Sequence, residues 1–122
     1  MKKDLNELTV KYPKLFDSLR WGFECNEGWY DILDRLLGFI QVYVDEFEKP
    51  QPKVMQVKEK FGGLRVYLTN TDDAINRMID IAEQQSEQTC EYCGKPGHAR
   101  NDMTWIKTLC DECAKGDKNG LE

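Results

Sequence analysis

Two C-x-x-C pairs in the last third of the chain have the spacing of a metal site. Cys90 and Cys93 form the first pair, and Cys110 and Cys113 form the second. Two cysteines three positions apart on a tight turn can direct both sulfurs at one ion, and a second pair completes the four thiolates that structural Zn²⁺ prefers. The pattern therefore predicts a bound zinc ion, with a redox pair or an iron site as alternatives.

The residues around the cysteines predict a small zinc ribbon. Residues 94–97 and 114–116 follow the two pairs, and their glycines let a chain fold back beneath a metal. Between the pairs, residues 100–102 predict a turn and residues 104–109 predict a strand. The single histidine, His98, could replace a cysteine at the metal, although four cysteines suffice.

The N-terminal sequence does not resemble an export signal. Asp4, Asn6 and Glu7 interrupt its leucines, and no apolar run in the chain approaches the roughly 20 residues that a membrane span needs. We therefore expect a cytoplasmic protein with reduced thiols and no membrane partner, rather than a disulfide framework. Cys25, the fifth cysteine, has no C-x-x-C partner and is predicted to be a packed thiol.

Length and charge limit the remaining possibilities. The 122 residues, 40% of them hydrophobic, suffice for one main core. We expect an α+β domain over residues 1–88, a ribbon lobe over residues 89–116 and a flexible tail over residues 117–122. The net charge is −5, whereas ribbons that bind nucleic acid usually carry a basic footprint, so nucleic-acid binding is disfavoured.

Two amphipathic helices are predicted near the centre of the chain. Residues 28–49 form the longer helix, and residues 71–88 form the second, with Thr71 as its N-cap. The apolar face of the longer helix is wide, which predicts a central helix buried on more than one side, with an oligomer interface as the alternative. The apolar residues of this helix are Trp29, Ile32, Leu33, Leu36, Phe39, Ile40, Val42, Tyr43 and Phe47.

Residues 54–69, between these helices, predict a β-hairpin with a two-residue turn at Gly62 and Gly63. The fold class is therefore expected to be α+β, with helices packed on a hairpin or small antiparallel sheet and a C-terminal zinc ribbon. One face of the hairpin is apolar and belongs on the core, although Glu59 is out of place there. The predicted pairs on this face are Phe61 with Leu64, Glu59 with Val66 and Val57 with Leu68.

The other face of the hairpin is the candidate ligand site. In the predicted register Lys60 pairs with Arg65 and Lys58 pairs with Tyr67, so three cations and a tyrosine share one side of an acidic protein. Such a group can bind a phosphate-bearing or other anionic ligand. The alternative is a solvated strand face that is charged for solubility.

Four stretches of the sequence together resemble a group of small proteins encoded by bacteriophages and prophages, which carry a C-terminal four-cysteine ribbon. The stretches are WGFECNEGWYDIL, QVKEKFGGLRVY, TCEYCGKPG and WIKTLCDEC. The resemblance covers residues 12–113. It implies a phage-related context and no particular mechanism, although small accessory phage proteins often act by binding a host factor or by sequestering a signalling molecule.

The leading hypothesis combines this context with the cationic face. One histidine, no nucleophile motif and no phosphate-binding loop predict a protein without catalytic residues. We therefore expect a non-enzymatic, zinc-containing accessory protein that counteracts host defence in the host cytoplasm, by binding a host protein or by sequestering an anionic or nucleotide ligand. The alternatives are a nucleic-acid-associated regulator that uses the ribbon, and an acidic inhibitor that imitates DNA.

Overall fold

The computed structural model describes residues 3–16, 22–101 and 105–116. Within these ranges the chain forms four α-helices and two antiparallel two-stranded sheets, which confirms the α+β class. In chain order the elements are α1 (Glu7–Lys11), a 3₁₀ turn (Glu27–Trp29), α2 (Tyr30–Glu46), β1 (Val54–Lys60), β2 (Gly63–Leu68), α3 (Asp73–Ser86), β3 (His98–Arg100), β4 (Lys107–Leu109) and α4 (Asp111–Gly116). The predicted tail, residues 117–122, lies outside the described ranges.

Helix α2 provides the centre of the main core. Its apolar residues recur every three to four positions, so one face of the helix is buried. This face consists of Ile32, Leu33, Leu36, Leu37, Ile40 and Val44. It shares one cluster with Leu8 of α1, Ile75 of α3, and Val57 and Leu64 of the hairpin.

The prediction that this helix is buried on more than one side is wrong. Phe39 and Val42 belong to the second apolar set of the sequence, yet each is 62% exposed. Phe47, at the end of the predicted stripe, follows the last helical residue and is also exposed. Periodicity identified an apolar helix correctly, but it could not show what covers each side of it.

Helix α3 begins one residue later than predicted and is fixed by its N-cap. The cap is Asp72 rather than Thr71, and its carboxylate accepts a hydrogen bond from the backbone N–H of Ile75 (2.9 Å). The hydroxyl of Tyr43 donates to the same carboxylate (2.6 Å). Both hydrogen bonds lower the pKa of Asp72, and the one from Tyr43 has the larger effect. The start of α3 is thereby held against the last turns of α2.

The β1–β2 hairpin turns one residue earlier than predicted. Lys60 pairs with Gly63, so Phe61 and Gly62 form the turn, with φ angles of 53° and 85°. Positive φ at both positions is what a type I′ hairpin turn requires. Two hydrogen bonds hold Gly62 there: its N–H donates to the Glu59 carboxylate (2.7 Å), and its carbonyl accepts from the Thr108 hydroxyl (2.6 Å).

The corrected register changes the partners in the hairpin but not its faces. Every predicted pair is shifted by two residues, and a shift of two leaves each side chain on its own side of a sheet. The observed pairs include Val57 with Val66, Lys58 with Arg65, Glu59 with Leu64, and Gln56 with Tyr67. Phe61 alone leaves the apolar face, since the turn exposes it. Glu59 is no longer out of place, because it caps the turn.

Both edges of the hairpin are covered. Glu24, which precedes α2, covers the outer edge of β1. Its N–H donates to the Val57 carbonyl (2.9 Å), and its carbonyl accepts a hydrogen bond from the Glu59 N–H (3.0 Å). On β2, the N–H of Leu64 donates to the Ser86 hydroxyl (2.9 Å), and the N–H of Val66 donates to the Glu83 carboxylate (3.1 Å). Side chains of α3 therefore take the place of a third strand.

The ribbon contains a short hairpin, and here three predicted details are wrong. Arg100 is the last residue of β3 and pairs with Lys107, so it is not part of a turn. The strand predicted over residues 104–109 begins at Lys107; residues 102–104 lie outside the described ranges. Helix α4 occupies the place of the predicted turn at residues 114–116.

Two hydrogen bonds to backbone carbonyls of the ribbon attach it to the start of α2. The N–H of Gly28 donates to the Glu91 carbonyl (2.7 Å), and the indole N–H of fully buried Trp29 donates to the Thr89 carbonyl (2.9 Å). The Glu91 carboxylate is buried as well, and it accepts from the backbone and side-chain amides of Asn26 (3.2 Å each). Its other oxygen pairs with the ammonium of Lys107 at 3.3 Å. Burial raises the pKa of Glu91, and the charge of Lys107 opposes that rise.

The close approach at Gly28 gives the first prediction. A methyl group there would overlap the carbonyl oxygens of Cys90 and Glu91, which are backbone atoms and cannot rotate away. We expect Gly28→Ala to lower the free energy of unfolding by about 1–3 kcal/mol, as overpacking does. Gly22→Ala is the matched control, because nothing lies within 4 Å of a methyl group at that position. Urea unfolding of both metal-loaded variants measures the difference, and equal stabilities would contradict the described attachment.

Candidate metal centre

The four cysteines predicted to bind a metal lie together at the end of the ribbon. The Sγ atoms of Cys90, Cys93, Cys110 and Cys113 all lie within 4.8 Å of one another, and those of Cys93 and Cys110 are 3.6 Å apart. Four ligands at the usual zinc–sulfur bond length would have their sulfurs about 3.8 Å apart in a tetrahedron. The cluster is therefore positioned to hold one metal ion.

The first cysteine pair lies on a turn that needs a glycine. The N–H of Gly94 donates to the Cys90 carbonyl (2.9 Å), and Gly94 has a φ of 85°. The N–H of Cys90 donates to the carbonyl of Lys95 (2.7 Å), which closes the loop from the other side. Only glycine adopts such a φ without strain, so Gly94 allows the chain to reverse directly after the second sulfur ligand.

The second cysteine pair lies where β4 passes into α4. The N–H of Ala114 donates to the Cys110 carbonyl (2.9 Å), and the N–H of Cys113 approaches the Cys110 sulfur at 3.4 Å. This second contact is the main cause that lowers the pKa of Cys110 to about 7, because it favours the thiolate. Burial raises the pKa of Cys93 and of Cys113. Cys110 is therefore more readily available as a thiolate at neutral pH than Cys93 or Cys113.

Little apolar surface supports the ribbon apart from the metal centre. Cys90, Leu109 and Cys110 form a small buried cluster, against which Tyr92 and Ala114 pack. So few apolar side chains contribute little to folding, and in small domains of this kind the metal supplies much of the stability. A metal ion held by the four cysteines would therefore stabilise the ribbon.

Cys25 and His98 are not members of the cluster formed by the four cysteines. Cys25 packs against the main core, and burial, followed by the charge of Glu91, raises its pKa to about 12. It is therefore protonated at neutral pH and agrees with the predicted packed thiol. His98 lies on β3, exposed, opposite Leu109, and the metal-binding group found within the described residues consists of cysteines alone.

The four residues of the candidate ligand site share the outer face of the hairpin. Lys58 lies directly opposite Arg65, while Lys60 is next to the turn and Tyr67 is toward the far end. Tyr67 is 48% exposed, and Lys60 is exposed too. Lys58 and Arg65 are half-buried, and the guanidinium of Arg65 donates to the carbonyl of Leu64 (2.9 Å). The structure thus brings these side chains onto one surface, as the sequence predicted.

The cations of this face differ from most others in the protein. Across the described residues, six lysines and Arg100 form ion pairs with carboxylates. None of those ion pairs includes Lys58, Lys60 or Arg65. Two carboxylates lie near the hairpin: Glu24 accepts a hydrogen bond from Gln56 (2.8 Å), and burial raises the pKa of Glu83, an effect that the charge of Arg65 opposes. The three cations of this face therefore have no direct ion-pair partner within the described residues.

An aromatic cleft beside this face was missed in the sequence. It is about 440 Å³ in volume and lies between the hairpin turn and the ribbon. Phe61 and Trp105 line it and are 72% and 65% exposed, and the Lys60 ammonium lies 5.7 Å from the centroid of the Phe61 ring. The predicted register had placed Phe61 on the core, and Trp105 is too distant in sequence for any local pattern to join the two.

No family model, curated protein or solved structure matches the chain. Among the helices in the described part of the chain, none combines the length and apolarity that crossing a membrane requires.

The cysteine cluster gives the second prediction. We expect the purified chain to bind one divalent metal ion, and Cys110→Ser to lose it, because this substitution removes one of the four clustered sulfur ligands. Cys25→Ala is the matched control and should keep the full complement of metal, since its sulfur belongs to the main core. Mass spectrometry after gel filtration measures the metal content per chain of the wild type and of both variants. Full metal content in Cys110→Ser would rule out the four-cysteine centre.

Proposed function

We propose that this protein is a non-enzymatic, zinc-containing binding protein that holds a phosphate-bearing ligand, such as a nucleotide, on the outer face of its hairpin. The observation that carries the proposal is the convergence of Lys58, Lys60 and Arg65 on one surface, where none of the three forms a direct ion pair with a carboxylate of the described residues. In a chain of net charge −5, most cations would be expected to pair internally.

Zinc is the metal that fits the cluster best. Four cysteine sulfurs form a soft, tetrahedral donor set, which selects zinc or iron among the common metals. Reduced thiolates with no open coordination position are typical of structural zinc. The ion would then hold β3, β4 and α4 together and present the ribbon to the start of α2, without taking part in a reaction.

The aromatic cleft favours a nucleotide over a simple anion. Bases stack on exposed aromatic rings, and each such contact contributes about 1–3 kcal/mol. Phe61 and Trp105 offer two rings next to Lys60, at the turn end of the cationic face. The phosphates of one ligand could therefore lie on Lys58 and Arg65 while its base lies in the cleft.

Two further observations support a binding role rather than catalysis. The sulfurs of the four ribbon cysteines are placed to bind metal, and the raised pKa of Cys25 makes this thiol a poor nucleophile. The resemblance to small phage proteins supports a role in the host cytoplasm, where capture of a signalling nucleotide would counteract a defence response. A host protein that carries phosphate or carboxylate groups is the alternative partner, because the cationic face could bind those groups in the same way.

The cationic face gives the third prediction. We expect Lys58→Ala and Arg65→Ala each to weaken the binding of ATP, used as a probe, by about 1.5–3 kcal/mol, the range for hydrogen bonds to charged groups. Lys115→Ala, on the exposed part of α4, is the matched control and should leave binding unchanged. Isothermal titration calorimetry measures the affinities. If all three variants match the wild type, the face is a solvated surface and the proposal fails.

The aromatic cleft can be tested separately with a second probe. Trp105→Ala should weaken the binding of ATP but leave the binding of inorganic tripolyphosphate unchanged, because only ATP carries a base. Equal losses for both probes would assign Trp105 a structural effect instead. Native mass spectrometry of protein purified from a nucleotide-rich lysate would then identify any ligand that the wild type retains.

A further inference from the structure

A line of four exposed side chains runs along α2, on the border of its buried face. Arg35, Phe39, Val42 and Glu46 follow one another at intervals of four, three and four residues, which places them on one stripe of a helix. Both ends of the stripe are charged and exposed, and its two central residues are apolar and 62% exposed. We call these four residues the α2 stripe.

The charges of the α2 stripe lack partners, unlike the other carboxylates of the same helix. Within the described ranges, no ion pair includes Arg35 or Glu46. The remaining acidic residues of α2 are all paired with lysines near the N-terminus: Asp31 with Lys3 at 2.7 Å, Asp34 with Lys11 at 3.0 Å and Asp45 with Lys14 at 3.6 Å. The other carboxylates of α2 therefore have ion-pair partners within the chain, whereas the two charges of the α2 stripe have none among the described residues.

Helix α3 extends the apolar part of this surface. Ile81 of α3 is 50% exposed, and with Met78 it lines a groove of about 130 Å³ whose other wall includes Phe39. Exposed apolar side chains that adjoin in this way, bordered by charges, are typical of a protein interaction site. The question is which partner fits the stripe.

We infer that the α2 stripe is the contact of a symmetric dimer, in which α2 packs antiparallel against α2 of a second copy. The midpoint between Phe39 and Val42 in the sequence is also the midpoint between Arg35 and Glu46. A two-fold axis through that point places Phe39 against the partner's Val42, and Arg35 against the partner's Glu46. Each contact then occurs twice, as two-fold symmetry requires.

The pattern of the stripe favours a second copy over an unrelated protein. Intervals of four and three residues are those of a coiled-coil seam, and such a seam on one helix fits the same seam running in the opposite direction. Both charges would gain an opposite partner without any rearrangement of the chain. Because α2 is 17 residues long, about 25 Å, the interface is small and the dimer should dissociate on dilution.

Charge reversal tests the arrangement. Arg35→Glu and Glu46→Arg should each raise the dimer dissociation constant at least about tenfold, because either change sets two like-charged pairs across the interface. The double variant Arg35→Glu/Glu46→Arg restores opposite charges at both places and should regain most of the wild-type affinity. Sedimentation velocity of the full, metal-loaded chain from about 5 μM to about 500 μM covers the range in which so small an interface dissociates.

Two controls separate the interface from general effects. Lys115→Glu changes the net charge as much as Arg35→Glu does, but lies on α4, so it should leave dimerisation unchanged. Phe39→Ser removes the central apolar contact without touching the charges and should also weaken the dimer. A wild type that stays monomeric throughout would overturn the inference. So would single reversals that have no effect, or a double variant that dissociates as readily as the single ones.

Discussion

The attachment of the first cysteine pair to the start of α2 is the constraint on which the rest of the architecture depends. At this point two backbones touch, because Gly28 has no side chain and donates directly to the Glu91 carbonyl. The buried carboxylate of Glu91 satisfies Asn26 on one side and Lys107 on the other, so it joins the ribbon to the loop before the helix. A metal at the cluster would therefore order the start of α2 as well as the ribbon, since residues 89–91 belong to the ribbon and hydrogen-bond to Gly28 and Trp29.

The hairpin turn provides a second connection, and it links the two candidate sites. The Thr108 hydroxyl on β4 donates to the carbonyl of Gly62, so the ribbon holds the turn from which Phe61 projects. The aromatic cleft exists because of this contact, since its walls come from the turn and from the residues before β4. Metal binding and ligand binding would thus be coupled through one buried hydrogen bond, because loss of the ribbon would release one wall of the cleft.

The sequence predicted those features that depend on local spacing, namely the four cysteines, the two main helices and the two faces of the hairpin. It did not predict features that depend on distant contacts. Whether the turn falls at Phe61 and Gly62 or one residue later is decided partly by Thr108, which is far along the chain. Glu91 is one of the two variable positions of a C-x-x-C pair, where nothing marks it as buried. The exposure of Phe39 could not be read from periodicity, which identifies apolar positions and not their neighbours.

The covered edges of the hairpin limit how this protein can recognise a partner. Extended peptides often bind by adding a strand to a free sheet edge, with backbone groups as the points of attachment. Here Glu24 uses the outer backbone groups at Val57 and Glu59 of β1, and the side chains of Ser86 and Glu83 use those at Leu64 and Val66 of β2. At these four positions, a partner would therefore have to be recognised by side chains and not by strand addition. The same feature guards a two-stranded sheet against templated aggregation, because no unpaired ladder is offered at these positions to a neighbouring chain.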